Sequence, residues 1–176
     1  MNLIQDRTQA EPVENLTGER ADLLETLRTH RGFLRFTAQG ITDEQARTRT
    51  GASELTLGGL IKHVAHTEAA WARFIQGGAA AMESVEADWA AEFRMTEGET
   101  VEGLLAEYAE IAAATDALVA TADLDVAHPL PVAPWFEVGK SRSVRRVLLH
   151  IIAETAQHAG HADIVREGLD GQKTMG

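Results

Sequence analysis

Glu154 and His158 stand four residues apart in a run whose apolar members are Val147, Ile151 and Val165. At 100° per residue the two side chains fall about 40° apart on a helix. They lie on the apolar face, while Arg145, Arg146, Gln157, Asp163 and Glu167 take the opposite one. A carboxylate in an apolar interior is costly unless it is paired, hydrogen-bonded or bound to a metal, so Glu154 requires compensation. In the stretch that begins at Thr56, His63 falls at the edge of the stripe of Leu60, Val64, Thr67, Trp71 and Phe74, whereas His66 turns toward Lys62 and Arg73. Together His63, Glu154 and His158 make a His2Glu set with a fourth position left for water or substrate, the stoichiometry of a catalytic zinc. Spacing alone leaves a second reading open. Glu-x-x-x-His is also an ordinary contact along one helix, and Glu154 bonded to His158 or His63 is a satisfied buried pair that needs no metal.

The elements that must position these residues are helical. From Thr17 to Ala38 the residues Ala21, Leu24, Leu27, Phe33 and Leu34 recur near helical spacing, and Gly40 ends the segment. Thr42-Asp43-Glu44-Gln45 reads as a capping box that opens a short turn of helix. A second long helix runs from Thr56 to the pair Gly77-Gly78. Val85, Trp89 and Phe93, four apart, suggest a short amphipathic piece within the next connection. Thr100 caps a third helix carrying Val101, Leu104, Leu105, Tyr108, Ile111, Ala112, Leu118 and Val119. Pro129, Pro131 and Pro134 make 123–140 a crossing loop, and the fourth helix starts at Ser141 or Ser143 and runs to about Leu169, before Gly171. No segment shows the alternation of a strand. The expected fold is all-α, a four-helix bundle, with the helix order left open by periodicity.

Composition narrows the chemistry. A chain of 176 residues, 44% hydrophobic and 24% charged, is expected to form one domain over 1–176. A net charge of -11 repels nucleic-acid backbones and anionic lipid, so neither nucleic acid nor a membrane is an expected partner. No apolar run approaches the roughly 18 residues of a membrane span, and Met1 to Val13 lacks the basic start and apolar run of a signal peptide, which points to the cytoplasm. With no cysteine there is no disulfide, thiolate metal site or cysteine nucleophile. Any thiol chemistry must use a borrowed thiol.

Two stretches carry a resemblance. Residues 56–71, TLGGLIKHVAHTEAAW, resemble the second helix of the DinB-like superfamily of metal-binding four-helix bundles, and residues 148–163, LLHIIAETAQHAGHAD, resemble its last helix. Most of that superfamily uses three histidines, one on the second helix and a pair four apart on the fourth. Glu154 stands where the first of that pair would be, a departure shared with the mycothiol-dependent maleylpyruvate isomerase and mycothiol S-transferase branch. There the resemblance implies a His, Glu, His zinc triad, which falls on His63, Glu154 and His158. The wider chain resembles the actinobacterial group labelled mini-circle proteins. The resemblance also implies the up-down-down-up helix order. The isomerases of the branch carry a second C-terminal domain, whereas this sequence runs only a few residues past the fourth helix, so a single-domain transferase is the better expectation.

The leading expectation is therefore a zinc-dependent thiol S-transferase that joins a low-molecular-weight thiol such as mycothiol to an electrophilic small molecule. A metal-dependent hydrolase would use the same three ligands, and a non-catalytic, metal-stabilised bundle or interaction module is a third reading. A homodimer is compatible with each. Around the triad, His161 lies about 20° from Glu154 on the wheel and could ligate or support a ligand. His150, one turn before Glu154, reads as a partly exposed structural histidine, and His30 and His128 have no evident partners. Trp135 and Phe136 could roof a substrate pocket or plug the core. Arg142, Arg145 and Arg146 form a basic cluster that could hold an acidic substrate or simply be a solvated face.

Overall fold

The computed structural model describes residues 13–82 and 89–174. Four long helices dominate. With the short elements between them, the order is α1 (Gly18–Thr37), α2 (Asp43–Arg47), α3 (Leu57–Gly77), α4 (Ala79–Met82), α5 (Trp89–Glu92), α6 (Val101–Thr121), β1 (Ala127–Pro129), β2 (Ser141–Ser143) and α7 (Val144–Asp170), after a 3-10 turn at Val13–Asn15. The caps explain where the helices begin. Thr56, Thr100 and Ser143 each accept, through the side-chain hydroxyl, the backbone N–H of the residue three positions on, and Thr42 with Gln45 forms a full capping box. Of the two candidate starts of the last helix, Ser143 is the cap, and Ser141 lies in β2.

Two apolar clusters set the helix order. One joins Leu34 and Ala38 at the end of α1, Leu57 to Ala65 at the start of α3, Val101 to Tyr108 at the start of α6, and Ala159 to Val165 late in α7. The other joins Leu23 to Leu27 at the start of α1, Trp71 to Ile75 late in α3, Val119 near the end of α6, and Val144 to Ile151 at the start of α7. A helix that begins at one cluster ends at the other. Thus α1 and α7 run one way and α3 and α6 the opposite way, an up-down-down-up bundle in which α7 packs against both α1 and α3.

Three details depart from the sequence reading. The loop 123–140 is fastened by an antiparallel pair in which Ala127 faces Ser143 and Pro129 faces Ser141; three residues are too few to display a strand period. Lys62, placed by its phase on the outer side of α3, is buried, because the segment before α6 folds over it and Glu99 takes its ammonium at 2.7 Å. The expected amphipathic piece resolves into α5 with Phe93 just past its end; Val85 and the side chain of Trp89 lie outside the described residues. That segment approaches α3 closely at Gly58 and Gly59. A Cβ on Gly58 would sit 2.5 Å from Met95 Sδ, and one on Gly59 would collide with the Phe93 carbonyl.

Candidate metal centre

The α3–α7 interface carries the candidate chemistry. His63 from α3 and Glu154 and His158 from α7 each present one donor atom, and the three atoms lie within 4.8 Å of one another. The rings of His63 and His158 meet edge to face with centroids 4.8 Å apart, and His158 Nε2 is 3.5 Å from Glu154 Oε2. Zinc bonds of about 2.0–2.2 Å in a tetrahedron ask for roughly 3.4 Å between donors. Glu154 and His158 meet that spacing, and the His63 donor lies within 4.8 Å of both. The protonation states suit the same task. Burial, with neighbouring His158 adding, presses His63 down to about 4, so its imidazole is neutral at physiological pH and has a lone pair to give. The adjoining His158 holds Glu154 below the usual carboxylate range, against burial, with His150 and His63 helping. Two imidazoles and an ionised carboxylate fit a borderline-soft dication such as zinc.

The surroundings orient this set. His161, one turn past His158, brings its Nδ1 to 3.4 Å from the Nδ1 of His158, on the side of the ring away from Glu154. It therefore supports a member of the triad from behind. Phe93 stacks on His63 with ring centroids 3.9 Å apart and 22° between planes, covering one face of the imidazole. His66, as its phase predicts, is turned elsewhere: its Nδ1 lies 2.6 Å from Glu92 Oε2 and its Nε2 3.3 Å from Glu107 Oε1, so it ties α5 and α6 to α3. The Glu154 side chain is 29% exposed against 12% for His158, so the set opens to solvent past the carboxylate.

Beyond Glu154 the seam continues toward the start of α7. His150 Nε2 lies 3.6 Å from Glu154 Oε1, and its ring meets Trp71 edge to face at 4.9 Å. His150 is partly exposed and one turn before Glu154, as its phase predicts; its contact with Trp71 is what the spacing does not show. Phe136 reaches back to Trp71 at 6.1 Å, and Arg142 spreads over both rings, its Cζ 4.9 Å from the Trp71 centroid and 5.4 Å from that of Phe136. The basic cluster is thus divided. Arg142 faces the seam, Arg145 pairs with Glu19 and Asp125, and Arg146 is exposed. Trp135 is exposed beside Phe136. Farther off, His128 rests edge-on against Phe74 and His30 against Phe33. No helix is long and apolar enough to cross a membrane among the described residues.

Comparison with known proteins meets this geometry. A solved structure described as the conserved protein of locus from Enterococcus faecalis superposes with a TM-score of 0.68 over 89% of this chain and 100% of that one, at 15% identity, a likeness of fold alone. No curated protein matches the chain. A family model described as Mycothiol-S-transferase matches residues 22–171, which take in every long helix but the first turn of α1 and all the residues of the triad. The chain therefore belongs to the mycothiol-S-transferase family, within the DinB-like superfamily.

Proposed function

We propose that the protein is a zinc-dependent thiol S-transferase in which His63, Glu154 and His158 hold the ion and mycothiol is the thiol joined to an electrophilic small molecule. The observation that carries this reading is the convergence of two imidazoles and an ionised carboxylate from two facing helices in a chain that has no cysteine of its own. When bound, zinc would supply a positive centre that keeps a borrowed sulfur as thiolate near neutral pH.

The chain's own residues account for the rest. Glu154 would contribute one negative charge and neutral imidazoles none, so a dication held there would keep a net positive charge to attract an anionic sulfur. His161 fixes the tilt of His158, as ring partners of ligating histidines do. Phe93 shields His63 from water on one face, which strengthens electrostatic attraction within the site. Rigid helices hold all three ligands, so little ordering is left to occur on binding. In the reaction a sulfur–carbon bond forms as the leaving group departs with its bonding pair, and the thiol proton passes to solvent.

The test uses the absence of cysteine. After substitution of cobalt for the native ion, any sulfur-to-metal charge-transfer band must come from added thiol. Adding mycothiol at about the millimolar level is expected to generate the band, with an apparent pKa well below the roughly 8.5 of a free thiol, and the band is expected to be absent in His158→Ala. A spectrum that does not respond to mycothiol, with turnover of an ester or amide, would overturn the reading in favour of a hydrolase.

A further inference from the structure

Among the described residues, one cation at the seam has no anionic partner. Arg142 sits in the middle of β2, half-buried, and its Nη1 is enclosed without a hydrogen-bond partner. Among the described residues no carboxylate lies within ion-pair distance of it, although the chain carries 27 acidic residues and the neighbouring Arg145 engages two of them. A guanidinium withdrawn from water without its hydrogen bonds is costly. Burial and then Arg146 push its pKa below the ordinary arginine value, with Glu154 opposing. Trp71 and Phe136 hold the plane of the group in place, a fixed fork of donors of the kind that matches a carboxylate.

Its position relative to the triad gives this a use. Trp71 lies eight residues along α3 from His63, a distance of about 12 Å at 1.5 Å per residue. Trp71 also touches His150, which in turn faces Glu154. A ligand lying along the α3–α7 seam therefore meets the candidate metal centre at one end and Arg142 at the other. Between them Trp71 is 3% exposed, and the half-buried Phe136 and His150 supply the accessible ring surface. This arrangement fits a small molecule with a reactive carbon, a flat or apolar body and an acidic end.

We propose that Arg142 is a specificity-determining residue that binds a carboxylate on the electrophilic substrate, selecting acidic electrophiles. The assignment of that ligand as the electrophile rests on the transferase reading, whereas the carboxylate site itself can be tested without thiol or turnover. The probes are 4-methylbenzoate and 4-methylbenzamide, unreactive and alike in shape, titrated calorimetrically into the metal-loaded protein. The benzoate is expected to bind about ten- to a hundred-fold more tightly, the range of a charge-assisted hydrogen bond. That advantage should collapse in Arg142→Met, which keeps the stem over Trp71, and be partly kept in Arg142→Lys, which keeps the charge without the fork. In kinetics with mycothiol, 4-(bromomethyl)benzoate should be preferred over 4-(bromomethyl)benzamide, with the loss in Arg142→Met appearing chiefly in KM. Equal binding of the two probes by the wild-type protein overturns the proposal, as does an advantage that survives Arg142→Met in a variant with native thermal unfolding. The cobalt band separates this outcome from failure of the transferase reading: a band without a benzoate preference overturns the Arg142 site alone, and a benzoate preference lost in Arg142→Met supports the site whether or not the band forms.

Discussion

Histidines three residues apart on α3 differ in what surrounds them, and that difference is the sharpest residue-scale test. His63 meets His158 and Glu154, whereas His66 is already engaged by Glu92 and Glu107. We expect His63→Ala and His158→Ala to purify without the divalent ion and His66→Ala to retain it, measured by elemental analysis of the purified proteins. Glu154→Gln keeps the shape but removes the charge that offsets a dication. Its metal affinity should fall by about two orders of magnitude or more, because a neutral amide is a poor zinc ligand, while the metal-free protein should be no less stable. Equal metal content in Glu154→Gln and wild type would remove Glu154 from the set. The convergence of these residues was legible because inward phase follows from 3.6-residue periodicity, and both helices are long enough to display it. The places of Phe93 and Arg142 were not. Each is set by a contact between elements joined through a long connection, and sequence spacing carries no information about where such a connection returns.

At the scale of elements, the most confined joint is the one between the start of α3 and the segment that follows α5. Gly58 and Gly59 let Phe93 and Met95 approach the helix backbone, and the same approach stacks Phe93 on His63. Gly59→Ala should therefore push that segment away, destabilising the protein by about 1–3 kcal/mol as overpacking does and weakening metal binding as His63 loses its cover. Gly160→Ala is the control: it lies on the exposed side of α7, where an added Cβ meets nothing within 4 Å. Relief of glycine's entropy cost should there stabilise by about 0.5–1 kcal/mol. Urea unfolding of both variants with and without metal decides the matter, and a neutral Gly59→Ala would show that the joint is loose. The helices themselves were readable from apolar periodicity, with caps legible at Thr42 and Thr100 and Ser143 one of two candidate starts for α7. The paired strands β1 and β2 were not, because their residues are held by partners across a proline-rich loop and not by any propensity of their own.

Across the whole bundle, a charged layer lies between the two apolar clusters. Arg31 of α1, 3% exposed, donates to Glu68 of α3, 1% exposed, and also reaches Asp116 of α6 at 2.6 Å. Tyr108 lies close enough that burial and then the charge of Glu68 raise its hydroxyl well above the ordinary tyrosine value. Periodicity did reveal the apolar stripes on either side of this layer. It could not reveal the layer, since a charged residue on an inward face looks the same in sequence whether its partner is a helix away or absent. The physical consequence is register: sliding one helix by a turn would leave Arg31 or Glu68 buried beside apolar groups, which costs far more than the displaced apolar contacts. The layer fixes α3 against α1 and α6, and Glu68 lies only five residues beyond His63. Removing Glu68 strands Arg31 with one partner in place of two. Glu68→Ala is therefore expected to lose about 3 kcal/mol or more in urea unfolding, whereas a joint Arg31→Met, Glu68→Leu replacement, which leaves no buried charge unpaired at those two positions, should lose much less. Because neither residue donates to the ion, the gain in stability on adding zinc should be the same in Glu68→Ala as in wild type so long as the register holds. A loss below about 1 kcal/mol in Glu68→Ala would mean that the layer does not fix the bundle, and a zinc response that vanishes with it would mean that the layer positions the triad directly.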